Sequence, residues 1–146
     1  MDYNKTLSFI SKDYEENVIK SLSSFIKIEN ISPSYVPRFF SNGKTEKAAE
    51  YILSRIKNEK IKNIKSKIIK EENIALLIFI QIPPISNSIN KNILLYCHYH
   101  KQPGYNNWNE GFNSFIPIIK DNYLYGRGSA DDDYAIFSYI SAIKSY

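Results

Sequence analysis

The sequence predicts an α/β domain, in which helices pack against a sheet. Segments with apolar residues at three- and four-residue spacing, typical of amphipathic helices, alternate with apolar runs of strand length. The 146 residues have the length of one domain or of part of one. No apolar run approaches the roughly 18–20 residues that cross a bilayer, and we see no secretory leader. Because a single cysteine excludes an internal disulfide, we expect a cytoplasmic protein with no membrane partner.

Two helices are predicted in the first sixty residues. The first covers residues 13–28 with Asp13 as its N-cap, and a proline-containing loop at residues 31–37 follows it. The second covers residues 45–57 with Thr45 as a plausible cap. Their predicted buried faces consist of Val18, Leu22, Phe25 and Ile26 in the first helix, and of Ala48, Ala49, Ile52, Leu53 and Ile56 in the second.

Three strands and a third helix are predicted further along. Residues 62–70 alternate as a half-buried strand, whereas residues 73–82 and 93–99 are nearly continuous apolar runs. Continuous apolar strands are typical of a sheet that is covered on both faces. Residues 135–143 have helical periodicity and predict the last helix.

Residues 102–120 form a long irregular segment between the last predicted strand and the last helix. Loops of this length in a compact domain tend to be functional or disordered. This one carries the only tryptophan, Trp108, and several other aromatic residues, so we expect an ordered loop near a site.

The net charge of +4 comes from lysines that are interspersed with acidic residues. A basic stripe would indicate nucleic-acid binding, whereas an interspersed pattern is typical of a solvated surface. Lysine, isoleucine, asparagine and tyrosine are abundant together, which indicates a compositional bias rather than a polyanion site. We therefore expect no nucleic-acid partner.

His98 and His100 are the only histidines, and they follow a predicted buried strand. In an extended chain residues two apart point to the same side, so both imidazoles can converge at the carboxyl end of the strand, where α/β sheets usually bind ligands. Imidazole is the commonest metal ligand. From spacing alone, a structural or surface role for the pair remains the alternative.

Three successive carboxylates, Asp131, Asp132 and Asp133, follow a glycine-arginine-glycine turn and open the last helix. One interpretation is helix capping, with Asp131 as the N-cap and the next two complementing the helix dipole. The other is a divalent cation, which would relieve the repulsion between the three anions. The segment is not a phosphate loop, because the Walker spacing and its lysine are absent.

Taken together, three segments resemble the family of co-catalytic zinc peptidases and deacylases that includes carnosinase, aminoacylase, acetylornithine deacetylase and succinyl-diaminopimelate desuccinylase. The segments are LLYCHYHKQP, NNWNEGFNSFIPIIKDN and LYGRGSADDDYA, at residues 94–103, 106–122 and 124–135. The Gln-Pro and tryptophan features are closest to the dipeptidase branch. The resemblance covers nearly all of this chain, but only about the first third of a family member.

The resemblance implies a two-zinc centre in a zinc-exopeptidase-like α/β sandwich. His98 would ligate one zinc ion, and Asp131 would bridge both ions; Asp132 and Asp133 are not assigned as ligands. Such a site activates a water for attack on the carbonyl of a dipeptide or an N-acyl amino acid. The resemblance also implies that Gly126, Arg127 and Gly128 form the turn that presents Asp131. It further implies that Trp108 lines the substrate entrance.

His100 departs from the family pattern, which has an aspartate at this catalytic position. That aspartate orients the ligating imidazole, and losing such a partner typically costs roughly 10–100-fold in affinity or activity. His100 would either hold His98 through a neutral nitrogen or bind metal itself, and both would change the site.

A second departure concerns what lies downstream. The family's general base, a glutamate of a Glu-Glu pair, and its remaining ligands have no counterpart before Tyr146. We therefore expect residues 1–146 to be an incomplete catalytic domain that lacks the lid domain and is inactive alone. The full-length protein would hydrolyse the amide substrate and would be a possible homodimer. The alternative is a non-catalytic module that binds one metal ion or a partner chain.

Cys97, next to His98, has two interpretations. A cysteine nucleophile would need an activating base, and His98 is expected to point to the opposite face of the strand. We therefore expect Cys97 to be a small buried residue beside the site.

Overall fold

The computed structural model describes residues 2–36, 41–72, 74–84 and 91–145. Helices and two small sheets occur together, which confirms the predicted α/β class in this general form. Within the described ranges, no helix is both long and apolar enough to cross a membrane. The elements are α1 (Tyr3–Asp13), a π-helical turn (Tyr14–Val18), α2 (Ile19–Ile26), α3 (Lys44–Asn58), β1 (Lys65–Ile69), β2 (Leu77–Gln81), β3 (Ile118–Lys120), β4 (Tyr123–Tyr125) and α4 (Tyr134–Lys144).

The N-terminal helical segment begins ten residues earlier than the sequence predicts. Asp2 is its N-cap, and its side chain accepts a hydrogen bond from the Lys5 main-chain nitrogen at 3.2 Å. The prediction of Asp13 as N-cap is wrong, because Asp13 lies inside the helical segment. Its buried carboxylate accepts from Lys144 Nζ at 2.7 Å and from Asn17 Nδ2 at 2.9 Å.

Helix α3 lies within one residue of its predicted limits, but its cap differs. The N-cap is Gly43, which has a φ of +68°, and it makes no side-chain capping bond. Thr45 is therefore not the cap. It lies in the first turn and is buried.

The core lies where α2, α3 and α4 meet. The predicted apolar faces of the first two helices are buried there, except that Leu53 is only half-buried. The Phe25 ring contacts the Phe137 ring of α4 edge-on, with centroids 5.8 Å apart. The main buried members of the core are Val18, Leu22, Phe25, Ile26, Ala48, Ala49, Ile52, Ile56, Phe137 and Ile140.

Strands β1 and β2 form an antiparallel pair in which Lys65 lies opposite Gln81. The prediction of a sheet that is covered on both faces is wrong for β2, because Leu77 and Phe79 on alternate positions are exposed. Pro37 and Asn73, at the limits of two predicted segments, lie outside the described residues.

Residues 93–99 do not form the predicted buried strand. They have no regular secondary structure and belong to no ladder, and Ile93 and Leu94 are 86% and 92% exposed. A strand is stable only when its main-chain groups pair with a neighbouring strand. Among the described residues, the nearest residue of this part of the chain that pairs in this way is Lys101, which forms a parallel bridge with Ile31.

The hairpin of β3 and β4 was not predicted. Lys120 pairs with Tyr123, and the two central residues Asp121 and Asn122 have φ values of +50° and +64°. Positive φ at both central positions is the signature of the turn that suits a two-residue hairpin. The hairpin leads directly into the glycine-arginine-glycine turn.

Candidate metal centre

Two segments without regular secondary structure bring His98 and Asp131 together. The His98 segment is fixed three residues later, where Lys101 N donates to Asn30 O at 3.0 Å and Lys101 O accepts from Ser32 N at 2.8 Å. The Asp131 segment is fixed on one side by the hairpin and on the other by α4.

The predicted ligands His98 and Asp131 are in contact. The distance from His98 Nε2 to Asp131 Oδ1 is 3.2 Å, and the side chains are 41% and 65% exposed. Two ligands of one tetrahedral zinc ion, each about 2.0–2.2 Å from the metal, lie about 3.3–3.6 Å apart, close to the observed distance. The observed separation therefore suits a shared ion that is accessible from solvent.

A main-chain carbonyl orients the imidazole of His98. His98 Nδ1 lies 3.1 Å from His100 O. A carbonyl oxygen only accepts hydrogen bonds, so Nδ1 carries the proton, and Nε2 is the atom turned toward Asp131. The main-chain nitrogen of His98 also donates to Asp132 Oδ2 at 3.3 Å. An acceptor on the far nitrogen is the usual support of a metal-ligating histidine.

The His100 side chain is half-buried, and its ring packs against the Tyr99 ring with centroids 4.6 Å apart. Burial, and then the charges of His98 and Lys101, lower the pKa of His100, so the neutral imidazole is favoured. The contribution of His100 that the structure shows is its main-chain oxygen, which accepts the hydrogen bond from His98 Nδ1. A catalytic role of the His100 side chain remains a prediction.

Lys101 and Asp133 form a fully buried ion pair beside the two ligands. Lys101 Nζ lies 3.0 Å from Asp133 Oδ2, and both side chains are 0% exposed. Burial raises the pKa of Asp133 to about 7, against the opposing attraction of Lys101. Burial likewise lowers the pKa of Lys101. Sequence reasoning missed this pair, because lysines are almost never fully buried and Lys101 carries no local signal of burial.

The capping interpretation of the three carboxylates is wrong for Asp131. The N-cap of α4 is Asp133, and its side chain makes no capping bond. Asp132 contributes its main-chain oxygen, which accepts from Ala135 N at 2.9 Å. The peptide bond between Asp131 and Asp132 is cis. Asp131 is thus not engaged in capping the helix.

The glycine-arginine-glycine turn is tied to the aromatic loop. Arg127 Nε and Nη2 donate to Pro103 O at 3.1 and 2.9 Å, and its guanidinium carbon lies 4.4 Å from the centre of the Tyr105 ring. Gly128 has a φ of +93°, and Asp133 packs against the position where a Cβ would stand. Only glycine suits that position.

The loop around Trp108 is ordered. Trp108 Nε1 and Tyr105 N both donate to Ser114 Oγ, at 2.8 and 3.0 Å. The loop lines a shallow cavity of about 580 Å³, formed by Gly104, Tyr105, Asn106, Asn107 and Trp108. That this cavity is the substrate entrance remains a prediction.

Cys97 is half-buried, and its environment does not activate it. Burial, followed by the negative charges of Asp132 and Asp133, raises the pKa of its thiol to about 11. The thiolate is the nucleophilic form, so the thiol is inert near neutral pH.

The ligand set within the described residues is small. No group of three or more histidine, cysteine, aspartate or glutamate side chains in residues 2–36, 41–72, 74–84 and 91–145 is arranged to hold a metal ion. His98 and Asp131 supply two adjacent ligands, whereas a catalytic zinc ion usually has three protein ligands and an open position.

Comparison with known proteins supports a relationship to metallohydrolases in general. No protein-family model matches the chain. The chain is 32% identical to an uncharacterised metallohydrolase of Methanocaldococcus jannaschii over 137 aligned residues, which cover 90% of this chain. The same alignment covers 32% of that relative, so this chain spans about a third of the length of the curated relative that it matches.

Proposed function

We propose that this chain contributes His98 and Asp131 to the metal centre of a metal-dependent amide hydrolase. The observation that carries the proposal is the 3.2 Å contact between His98 Nε2 and Asp131 Oδ1, with the proton of Nδ1 held by the His100 carbonyl. With a metal ion bound, the histidine would present a lone pair and the carboxylate a negative oxygen to the same point. The similarity to a metallohydrolase supports the same chemistry.

Zinc is the proposed ion, because an imidazole and a carboxylate at this spacing match its preferred ligands. When bound, such an ion supplies Lewis acidity for the attack of water on an amide carbonyl. The chain's own residues orient this chemistry: His100 O fixes the imidazole, and Asp132 holds the main chain of His98.

The proposed substrates are dipeptides or small N-acyl amino acids. This choice rests on the resemblance of the three segments to the zinc peptidase and deacylase family, and of the Gln-Pro and tryptophan features to its dipeptidase branch. Residues 1–146 would form part of a catalytic domain. Further ligands and the general base would belong to the region that corresponds to the rest of the metallohydrolase relative.

Calorimetric titration of the chain with zinc tests the proposal. We expect saturable binding that is lost in His98→Ala and in Asp131→Ala, and that is unchanged in Glu110→Gln. Glu110 is an exposed carboxylate outside the contact pair and serves as the matched control. If the wild-type chain gives no heat above the dilution background, the proposal fails.

A peptidase assay tests the catalytic part separately. With zinc and a dipeptide, we expect the isolated chain to show no turnover, because His98 and Asp131 alone do not complete the ligand set. Turnover that disappears in Asp131→Ala would show instead that these residues suffice.

A second candidate function is a partner-binding module without catalysis. The exposed side chains of Ile93, Leu94 and Tyr96 favour it, because they form a contiguous apolar stretch on an unpaired extended segment. Sedimentation velocity would show concentration-dependent association that Leu94→Ser weakens. A monomer at all concentrations would remove the self-association form of this candidate.

A further inference from the structure

The buried pair of Lys101 and Asp133 connects the two segments that carry the proposed ligands. Lys101 lies three residues after His98, and Asp133 lies two residues after Asp131. Lys101 Nζ and Asp133 Oδ2 are 3.0 Å apart with both side chains 0% exposed, whereas His98 and Asp131 face solvent. The ion pair thus joins the segments on the side away from the metal position.

The end of helix α2 holds the ammonium of Lys101 in place. Lys101 Nζ donates to Phe25 O at 3.3 Å, to Ile28 O at 3.0 Å and to Asn30 Oδ1 at 2.5 Å. It also lies 4.1 Å from the centre of the Phe25 ring. Carbonyl oxygens at a helix C-terminus lack helical partners and carry partial negative charge, so they suit a cation. Because Phe25 belongs to the core, Lys101 is anchored to the hydrophobic core.

The carboxylate of Asp133 has far fewer partners. Lys101 Nζ lies 3.0 Å from its Oδ2 as an ion-pair contact, and within the described residues neither carboxylate oxygen has a hydrogen bond of good geometry. The backbone at Gly128 closes one side of the carboxylate. Lys101 is therefore the group that fixes where Asp133, and the segment that begins at Asp131, can lie.

Stability alone does not account for a pair of this kind. Well-packed apolar side chains of similar volume are often as stabilising as a buried ion pair, or more so. An ion pair differs from them because it holds two particular atoms, Lys101 Nζ and Asp133 Oδ2, close together at 3.0 Å. A specific link of this kind beside two ligands that must meet at one ion would serve geometry rather than stability.

We propose that the Lys101–Asp133 ion pair is a positioning device that sets the separation of His98 and Asp131 for metal binding. This inference rests on the proposed function of those two residues as metal ligands. Lys101 and Asp133 act through the main chain and do not themselves hold the ion. The contact between His98 N and Asp132 Oδ2 at 3.3 Å is the second link between the same segments.

The double variant Lys101→Met/Asp133→Leu tests the inference, because it removes both charges and leaves no buried charge unpaired. We expect it to unfold near the wild-type urea midpoint but to bind zinc about 10–100-fold more weakly, as found when the support of a metal ligand is lost. The visible spectrum of the Co²⁺-loaded chain should also change, which a purely stabilising role of the pair would not cause. The matched control is Lys12→Met/Glu16→Leu, an exposed ion pair on the N-terminal helical segment, which should keep wild-type affinity.

The outcomes separate the two proposals. A folded double variant with wild-type zinc affinity and an unchanged Co²⁺ spectrum overturns the positioning role and leaves the metal centre intact. Absence of zinc binding by the wild-type chain overturns both. If the double variant does not fold, Lys101→Arg decides, because it keeps both charges and changes the geometry of the ion pair. A several-fold weaker zinc affinity in that variant supports the inference, and an unchanged affinity contradicts it.

Discussion

Replacing Gly128 with alanine should destabilise the chain through one identifiable overlap. A Cβ at this position would overlap Asp133 Oδ2 and lie 2.6 Å from Asp133 Cγ. Asp133 has no room to withdraw, because it is fully buried and paired with Lys101. The φ of +93° adds the usual steric cost of an L-residue in this region.

The expected magnitude follows from these two contributions. A positive φ in a non-glycine residue costs about 1–2 kcal/mol, and overpacking a close-packed site costs about 1–3 kcal/mol. Gly128→Ala should therefore lower the free energy of unfolding by about 2–5 kcal/mol. Gly111→Ala is the matched control, because Gly111 has a φ of +84° and nothing within 4 Å of its Cβ position. Gly111→Ala should therefore show only the cost of the positive φ, about 1–2 kcal/mol.

Urea unfolding followed by circular dichroism at pH 7 measures both variants against the wild type. The informative quantity is the difference between the two losses, which we expect to be about 1–3 kcal/mol. Equal losses in Gly128→Ala and Gly111→Ala would refute the idea that Asp133 is held rigidly against the turn.

Three further predictions follow. Lys144→Met should lower the free energy of unfolding by about 1.5–3 kcal/mol at pH 7, since it removes a charged hydrogen bond to Asp13 and an ion pair with Glu59. Burial raises the pKa of Asp13, but hydrogen bonds led by that from Lys144 outweigh burial and hold the pKa below its usual value. The difference in stability should therefore shrink as the pH falls below about 4 in acid-unfolding curves, and a pH-independent difference would contradict the assignment. Burial raises the pKa of Cys97 to about 11, so its alkylation rate should keep rising up to that pH, and a plateau near pH 8 would contradict this. Trp108→Phe should lower the free energy of unfolding by about 1 kcal/mol, because it removes the hydrogen bond to Ser114 Oγ. Urea unfolding measures this loss, and an unchanged free energy would contradict the hydrogen bond.

Helices α2, α3 and α4 could be predicted because their signal is local, whereas α1 was not predicted. The faces of α2 and α3 are set by apolar residues one turn apart, and that spacing is visible in the sequence. The cap at Asp13 was mispredicted because its partner, Lys144, is 131 residues away in the chain. A short window does not distinguish a capping aspartate from one that pairs with a distant lysine.

The strand predicted at residues 93–99 failed because its formation does not depend on local sequence. The segment has the composition of a buried strand, but a strand forms only when neighbouring strands pair with it, and composition does not show whether they are present. The hairpin of β3 and β4 was missed although its turn residues, Asp121 and Asn122, both tolerate positive φ.

The candidate site could be predicted in part. His98 and Asp131 were identified from residue type, spacing and resemblance, and the structure brings them into contact. What orients them was not predictable, because the acceptor for His98 is a main-chain carbonyl, which every residue has. The anchor of Lys101 likewise consists mainly of carbonyl groups at the end of a helix.

X-ray absorption at the zinc edge of the zinc-loaded chain tests the central claim most directly. We predict one imidazole nitrogen and carboxylate oxygen at about 2.0–2.2 Å from the metal. Since His98 and His100 are the only histidines, two variants assign the imidazole. Its outer-shell scattering should vanish in His98→Ala and persist in His100→Ala. Loss of the signal in His100→Ala with retention in His98→Ala, or no imidazole in the wild-type spectrum, would contradict the account.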